Sequence, residues 1–212
     1  MSLELDALLR IYCEKNSTAP PSWIPTIESS TQLNTIRSYM SSDHIQGRLL
    51  SFLAKMIQPN LVLEIGTFSG YGTCCIAEGL AEGGKVITIE RDTRCKEMIE
   101  KHLKMAGIQD CVEVIYGGVP DALPELEQPY DMVYIDAAKK HYKTIFEKII
   151  EQVRPGGLIL ADNTLWKREV LHRDHDTMTE AIHRFNVSVA NDPRVQTFLL
   201  PYRDGITLML KN

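Results

Sequence analysis

The stretch YDMVYIDAAKKHY (residues 130–142), with its echo GGLILADN (156–163), decides how this chain reads. Each is an apolar run that stops at an aspartate: Asp136 in the first, Asp162 in the second, with Asn163 directly after it. Apolar runs with little alternation suit strands covered on both faces, as in a parallel sheet. Open α/β sheets take ligands at the carboxyl ends of their strands. As neighbouring parallel strands, the two runs bring Asp136, Asp162 and Asn163 to one edge. Two carboxylates and an amide carbonyl, with no His or Cys, suit a hard divalent cation: Mg²⁺ first, Mn²⁺ or Ca²⁺ as alternatives. Lys139, three residues past Asp136, puts a candidate base beside that cation.

Working outward, LVLEIG (61–66), KVITIE (85–90) and VEVIYG (112–117) read as three earlier strands, with helices over about 71–82 and 92–106 between them and another over about 140–153. Strands alternating with helices imply βαβ units and a mostly parallel sheet. VQTFLLPY and GITLMLKN, close together around RDG, predict a closing antiparallel hairpin. Upstream, the spacing predicts helices over 3–15 (Leu5, Leu8, Leu9 and Tyr12 on one face), 26–40 and 44–57, with NSTAPPSWIP (16–25) as a break. Residues 164–178 read as loop. The expectation is one domain over 1–212, a helical cap (1–57) followed by a Rossmann-like core (58–212).

LEIGTFSGYG places Gly66, Gly70 and Gly72 between a strand and a helix, the general nucleotide-binding arrangement but not the G-x-G-x-x-G of dinucleotide enzymes. Glu64, two residues before the first glycine, opposes a pyrophosphate and favours a ligand with a cationic group. Glu90 ends the next strand, where an acid accepts from ribose hydroxyls. A ligand with adenosine, no phosphate and a cationic amino-acid end is S-adenosylmethionine. The bland alternatives are tight helix–strand packing for the glycines and a solvated strand-end acid for Glu64. Three features in register argue against them.

The bulk properties are those of an ordinary globular chain: 212 residues, 44% hydrophobic, 24% charged. A net charge of −5 disfavours a general nucleic-acid binder without excluding a local basic patch. The five cysteines form no C-x-x-C pair, so a reducing compartment is expected, with Cys74 and Cys75 as packing residues. No basic start precedes an apolar core at the N-terminus, and no apolar run approaches ~20 residues, so neither signal peptide nor membrane helix is expected and the cytoplasm is the predicted location.

The motifs LEIGTFSGYGT, ITIERD, YDMVYIDAAKKHY, GGLILADNTLW and RDGITLMLK, spread over residues 36–212, resemble the metal-dependent O-methyltransferases that include catechol and caffeoyl-coenzyme A methyltransferases. The resemblance implies a class I methyltransferase fold with seven strands, the last pair antiparallel. It implies a metal held by Asp136, Asp162 and Asn163, and Lys139 as catalytic lysine. Glu64, Gly66, Tyr71 and Glu90 match cofactor positions; Gly72, Thr73 and Arg91 adjoin them, and Asp136 would contribute its backbone. Gly118 and Val119 fall in the adenine-pocket segment, and Met40 and Ser42 precede the Gln46-Gly47 helix that closes over the cofactor. Homodimers are expected, through the N-terminal helices and C-terminal hairpin. This sequence departs from the pattern at Gly72, where many members have serine, at His141, and at KREV after Trp166.

The chemistry this predicts is in-line methyl transfer to one hydroxyl of a small phenolic or other vicinal diol, with Lys139 as base where the cation and partial burial depress its pKa, and Trp166 as an acceptor-pocket candidate. The runner-up is methylation of a hydroxylated wobble uridine in tRNA, docked on Lys167, Arg168, His172 and Arg173. A non-catalytic cofactor-binding protein is the third reading. HRDHD, with His172 and His175, and His183 beyond it, reads as a solvated loop or helix face rather than a metal site.

Overall fold

The order in which strands leave and return to the centre of the sheet builds the site. The computed structural model describes residues 3–36, 43–119, 123 and 129–212. Within them run helices α1 (Leu3–Lys15), α2 (Trp23–Asn34) and α3 (His44–Ile57), then β1 (Leu61–Ile65), α4 (Tyr71–Ala77), β2 (Lys85–Glu90), α5 (Lys96–Ala106) and β3 (Val112–Tyr116). β4 (Tyr130–Ile135), α6 (Tyr142–Ile149), β5 (Val153–Asp162), α7 (Thr177–Ala190), β6 (Val195–Leu200) and β7 (Ile206–Lys211) complete the chain.

The sheet order is β3-β2-β1-β4-β5-β7-β6, with β7 antiparallel to both neighbours; its hairpin with β6 is the one the sequence predicts. The chain steps outward from β1 to β3, then returns to the other side of β1 as β4. A crevice therefore opens at the carboxyl ends of β1 and β4, the switch point where such sheets bind ligands. All six residues of β4 are buried. Its side chains alternate between two cores: Met132 and Tyr134 face Ile24, Leu50 and Leu103, and Val133 and Ile135 face Phe146, Ile182 and Phe185.

The N-terminal elements differ from their sequence reading in two ways. α2 begins at Trp23, inside the proline-rich break, because Pro25 falls in the first turn where its missing N–H costs nothing. In α1, Leu8, Leu9 and Tyr12 are exposed rather than packed on this chain. α4 ends at Ala77 rather than near 82: an added Cβ on Gly79 would stand 2.3 Å from the Lys55 nitrogen, so that turn is pressed against α3. α7 is absent from the sequence reading. Asp176 caps it, its side chain accepting from Thr179 N at 2.7 Å, and Ile182, Phe185 and Val189 form its buried stripe. Among the described residues no helix is long and apolar enough to cross a membrane.

Candidate active site

Gly66 fixes the floor of the crevice. It adopts φ +108°, and a Cβ there would stand 2.1 Å from the Asp136 carbonyl oxygen. Only glycine lets β1 and β4 end this close. Asp136 N donates to Ile65 O at 2.8 Å and Gly66 N to Ile89 O at 2.9 Å, so the three strand ends are tied to one another. Above them lies a cavity of about 1140 Å³, whose wall includes Gly66, Glu90, Asp136, Lys139, Asp162 and Asn163.

Lys139, Asp136 and Asp162 meet as the sequence predicts. Lys139 Nζ donates to Asp136 Oδ1 at 2.7 Å and to Tyr142 OH at 2.8 Å. Tyr142 OH in turn lies 2.9 Å from the Asp162 carbonyl oxygen and 3.2 Å from that of Ile135, bridging the ends of β4 and β5. Burial works against the charge on Lys139, but Tyr142 and Asp136 outweigh it and hold the ammonium above its ordinary range. With the Asp136 carboxylate at 2.7 Å, these groups by themselves favour the charged amine; the depression expected from the sequence is one that a bound cation imposes.

Asp162 is buried at 5% exposure, and Gln46 Nε2 donates to its Oδ2 at 2.6 Å. Tyr134 OH donates to the same oxygen at 3.1 Å, and Asn163 N to Oδ1 at 2.7 Å. Burial first, then the charge of Asp136, pushes the Asp162 carboxyl up to about 6. Asn163 takes a left-handed φ of 55°, and its side-chain amide makes no hydrogen bond among the described residues. Gln46, Tyr134 and Tyr142 are partners the sequence reading did not assign. Tyr142 had a signal, three residues past Lys139 in KKHY; Gln46 and Tyr134 had none.

The cofactor positions divide. Glu90, Arg91 and Val119 line the cavity. The Glu90 carboxylate is oriented by Phe68 N at 2.7 Å and Asp92 N at 2.6 Å. Gly118 is exposed just beyond. Glu64, Tyr71 and Thr73 lie buried behind the wall, with Gly72 over them. Glu64 Oε2 accepts from Thr88 Oγ1 at 2.6 Å and closely from Thr73 Oγ1. Burial pushes the Glu64 carboxyl from 4.5 up to about 7, against those two hydroxyls. An added Cβ on Gly72 would come within 2.8 Å of Glu64 Oε1, so a side chain here would press on that carboxylate. Met40 and Ser42 lie outside the described residues. Trp166 lines the cavity, as do Lys167 and Arg203.

Among the described residues no three His, Cys, Asp or Glu side chains converge as a metal cluster. The set read from the sequence has two carboxylates, its third donor being an amide. In HRDHD, His175 Nδ1 stands 3.0 Å from Glu180 Oε2, and its ring lies 5.0 Å from that of His183 on α7. His172 is exposed.

A seven-stranded sheet of this order, with a glycine turn after β1 and acids ending β2, β4 and β5, has the Rossmann-like methyltransferase fold. A family model described as O-methyltransferase matches residues 14–212. A caffeoyl-CoA O-methyltransferase of Populus kitakamiensis is 33% identical over 193 residues, 85% of this chain and 82% of its own. A catechol O-methyltransferase of Niastella koreensis is 33% identical over 160 residues, 73% of this chain and 72% of its own. The SAH-bound methyltransferase of Podospora anserina superposes with a TM-score of 0.92 at 26% identity, over 100% of this chain and 97% of its own. The O-methyltransferase of Streptomyces achromogenes involved in tomaymycin synthesis, solved with SAM, gives 0.92 at 27%, over 100% and 99%. The chain belongs to this O-methyltransferase family and is a methyl-transfer enzyme.

Proposed function

We propose that the enzyme transfers a methyl group from S-adenosylmethionine to one hydroxyl of a small vicinal diol, catechol-like in its two adjacent oxygens, with a divalent cation. The observation that carries this reading is the convergence of Asp136, Lys139, Asp162 and Asn163 on one cavity that continues past Glu90. Similar proteins solved with SAM or SAH support the cofactor.

The residues present fit a hard cation. Burial, with the charge of Asp136 adding to it, raises the Asp162 carboxyl to about 6, and Asn163 stands at the same wall with a side-chain amide that makes no hydrogen bond among the described residues. Oxygen-only donors of this kind suit Mg²⁺, with Mn²⁺ or Ca²⁺ as alternatives. Held by Asp136, Asp162 and Asn163, the cation would lower the pKa of a diol hydroxyl. Glu90 accepts from the ribose; its carboxylate is already aimed by two backbone N–H groups. Glu64 supplies negative charge behind the glycine turn for the cationic end of the cofactor. Lys139 presents Nζ to the acceptor hydroxyl, and Tyr142 holds that amine in line through its hydroxyl; a cation held by Asp136 would lower the amine's pKa, as taking up the acceptor proton requires. Gln46 and Tyr134 keep Asp162 ionised and turned into the cavity by donating to Oδ2. Positioning of the oxyanion against the methyl group supplies much of the rate.

The test is label transfer from S-adenosylmethionine to catechol and to undermodified tRNA in parallel, with and without Mg²⁺. Metal-dependent labelling of catechol, abolished in Asp136→Ala and Lys139→Ala, supports the diol; label in neither acceptor sinks it. Label in tRNA alone favours the wobble-uridine reading, which draws on Lys167, Arg168, His172 and Arg173, all exposed on one loop. A homodimer belongs to the same proposal. Its support is apolar surface at Leu8, Leu9 and Tyr12 of α1 and Phe198 of β6, and sedimentation of a Tyr12→Glu variant tests it.

A further inference from the structure

The rim of the cavity nearest Asn163 is built from backbone that ordinary residues avoid. Asn163, Trp166, Lys167, Arg168 and Arg203 all take positive φ, at 55°, 46°, 55°, 67° and 49°. Such residues persist only where their surroundings impose the conformation, and they gather at functional sites. Here the cause is a zipper between the loop after β5 and the turn between β6 and β7. Thr164 N donates to Gly205 O at 3.0 Å, Leu165 N to Asp204 O at 2.7 Å, and Lys167 N closely to Asp204 Oδ1. Gly205 admits the approach: a Cβ there would stand 2.5 Å from Leu165 Cγ.

The zipper brings two cations to the cavity wall beside Trp166. The Lys167 side chain has no ion pair or hydrogen bond among the described residues. Arg203 Nη1 donates to Gln46 Oε1 at 3.2 Å, and its Nε lies 3.6 Å from Asp43 Oδ2. That carboxylate is shared with Arg10 at 3.5 Å and accepts from Tyr202 OH at 3.2 Å, so it neutralises Arg203 only in part. Asp204, the acid of this rim, is engaged by a backbone N–H. The other wall acids have their own partners: Glu90 hydrogen-bonds Phe68 N and Asp92 N, Asp162 accepts from Gln46 and Tyr134, and Asp92 and Asp136 pair with Arg94 and Lys139. Through Gln46, Arg203 stands one side chain away from Asp162. Asp162, Lys139, Trp166 and both cations line the one cavity, so an acceptor whose oxygens sit at Asp162 and Lys139 shares it with Lys167 and Arg203.

We propose that Lys167 and Arg203 read an anionic group on the acceptor, so that the enzyme's substrate is a diol-bearing ring that also carries a carboxylate or phosphoryl group. The inference rests on the diol reading above and adds the charge of the acceptor to it. A cation pair at a partly open rim discriminates by electrostatic complementarity, and two such contacts give about fivefold to tenfold preference.

The test uses the full-length enzyme and matched acceptors: 3,4-dihydroxybenzoate, its neutral amide, and 3,4-dihydroxyphenylphosphonate. Expected is a preference for the acids over the amide of about fivefold to tenfold in kcat/KM, carried by KM and weakened by salt. Isothermal titration should show the benzoate binding more tightly than the amide. Lys167→Met and Arg203→Met should each move the acid-to-amide ratio toward one, and Lys167→Glu should invert it. Because the ratio is the readout, a variant that merely slows both acceptors leaves it in place. The two acids tell carboxylate from phosphoryl as the preferred group. Equal turnover of acid and amide, or a preference that survives both Met variants, overturns the anion reading while leaving the diol reading intact. Failure of every diol, or labelling of tRNA alone, overturns both.

Discussion

Replacing Glu64 with glutamine should stabilise the ligand-free protein and weaken its hold on S-adenosylmethionine. The side chain is 1% exposed, and its carboxyl rises from 4.5 to about 7, through burial first, with Asp136 and Glu90 adding to it and Thr73 and Thr88 opposing. The folded carboxyl therefore binds its proton more tightly than the unfolded one. Stability contributed by that proton is complete below pH 4.5 and is lost as pH rises toward about 7. The difference corresponds to about 3 kcal/mol. At pH 8 the wild type bears the whole cost of an ionised buried carboxylate, whereas glutamine bears no charge there. It can still accept from Thr73 and Thr88 through Oε1. For a chain of this length the gain is about 6–12 °C in Tm.

The assay is urea unfolding of both proteins without ligand from pH 5 to pH 8.5, with cofactor titration by calorimetry at pH 8. The stability gap should open with pH and flatten above 7, while Glu64→Gln binds the cofactor more weakly. A gap that is constant with pH, or a variant less stable than wild type at pH 8, would refute the argument. Either result would mean that the carboxylate is fully compensated where it lies. The carboxylate here stands as a group whose cost in the empty protein is offset only when a cationic ligand arrives.

Gly66→Ala should lower stability by about 3 kcal/mol and abolish cofactor binding, because the new Cβ meets the Asp136 carbonyl in a left-handed backbone; thermal unfolding and calorimetry check it. Lys139→Ala should cut kcat by about 10²- to 10⁴-fold with cofactor binding retained, measured by label transfer alongside titration. Asp131→Ala should cost about 2–4 kcal/mol and leave kcat/KM intact, since it strands the N–H groups of Asn60 and Leu61 and the Arg154 guanidinium at the edge opposite the cavity. Burial opposes the Asp131 charge, but Arg154 and the two N–H groups hold its carboxyl below 3.8, so its contribution is present above that pH and is lost as pH falls below it through the lowered folded value; acid unfolding of the variant against wild type reads this.

What was legible in the sequence is what short-range chemistry dictates. Apolar strands ending in Glu90, Asp136 and Asp162 announce both the sheet and its active edge, since a parallel strand buried on both faces can carry a charged group only where it ends. Gly66 announces the closest approach of β1 and β4. α7 was missed although Asp176, Ile182, Phe185 and Val189 spell a capped amphipathic helix, because the charged run HRDHD ahead of it reads as loop. Lys139 falls beside Asp136 as its spacing implies, whereas the hold of Tyr142 on its amine depends on distances that spacing does not give.

The rim was illegible for a different reason. Trp166, Lys167, Arg168 and Arg203 are not residues that prefer left-handed backbone, and local propensity argues against every one of them. Their conformation is imposed by hydrogen bonds between segments some 40 residues apart, with Asp204 capturing the Lys167 nitrogen across the gap. The chemistry of methyl transfer therefore sits on strand ends that the sequence declares. The proposed reader of the acceptor sits on a strained seam that exists only once β5, β6 and β7 have paired. Under that proposal acceptor preference changes by substitution at Lys167 without touching the carboxylates of β4 and β5, whereas Arg203 reaches Asp162 through Gln46.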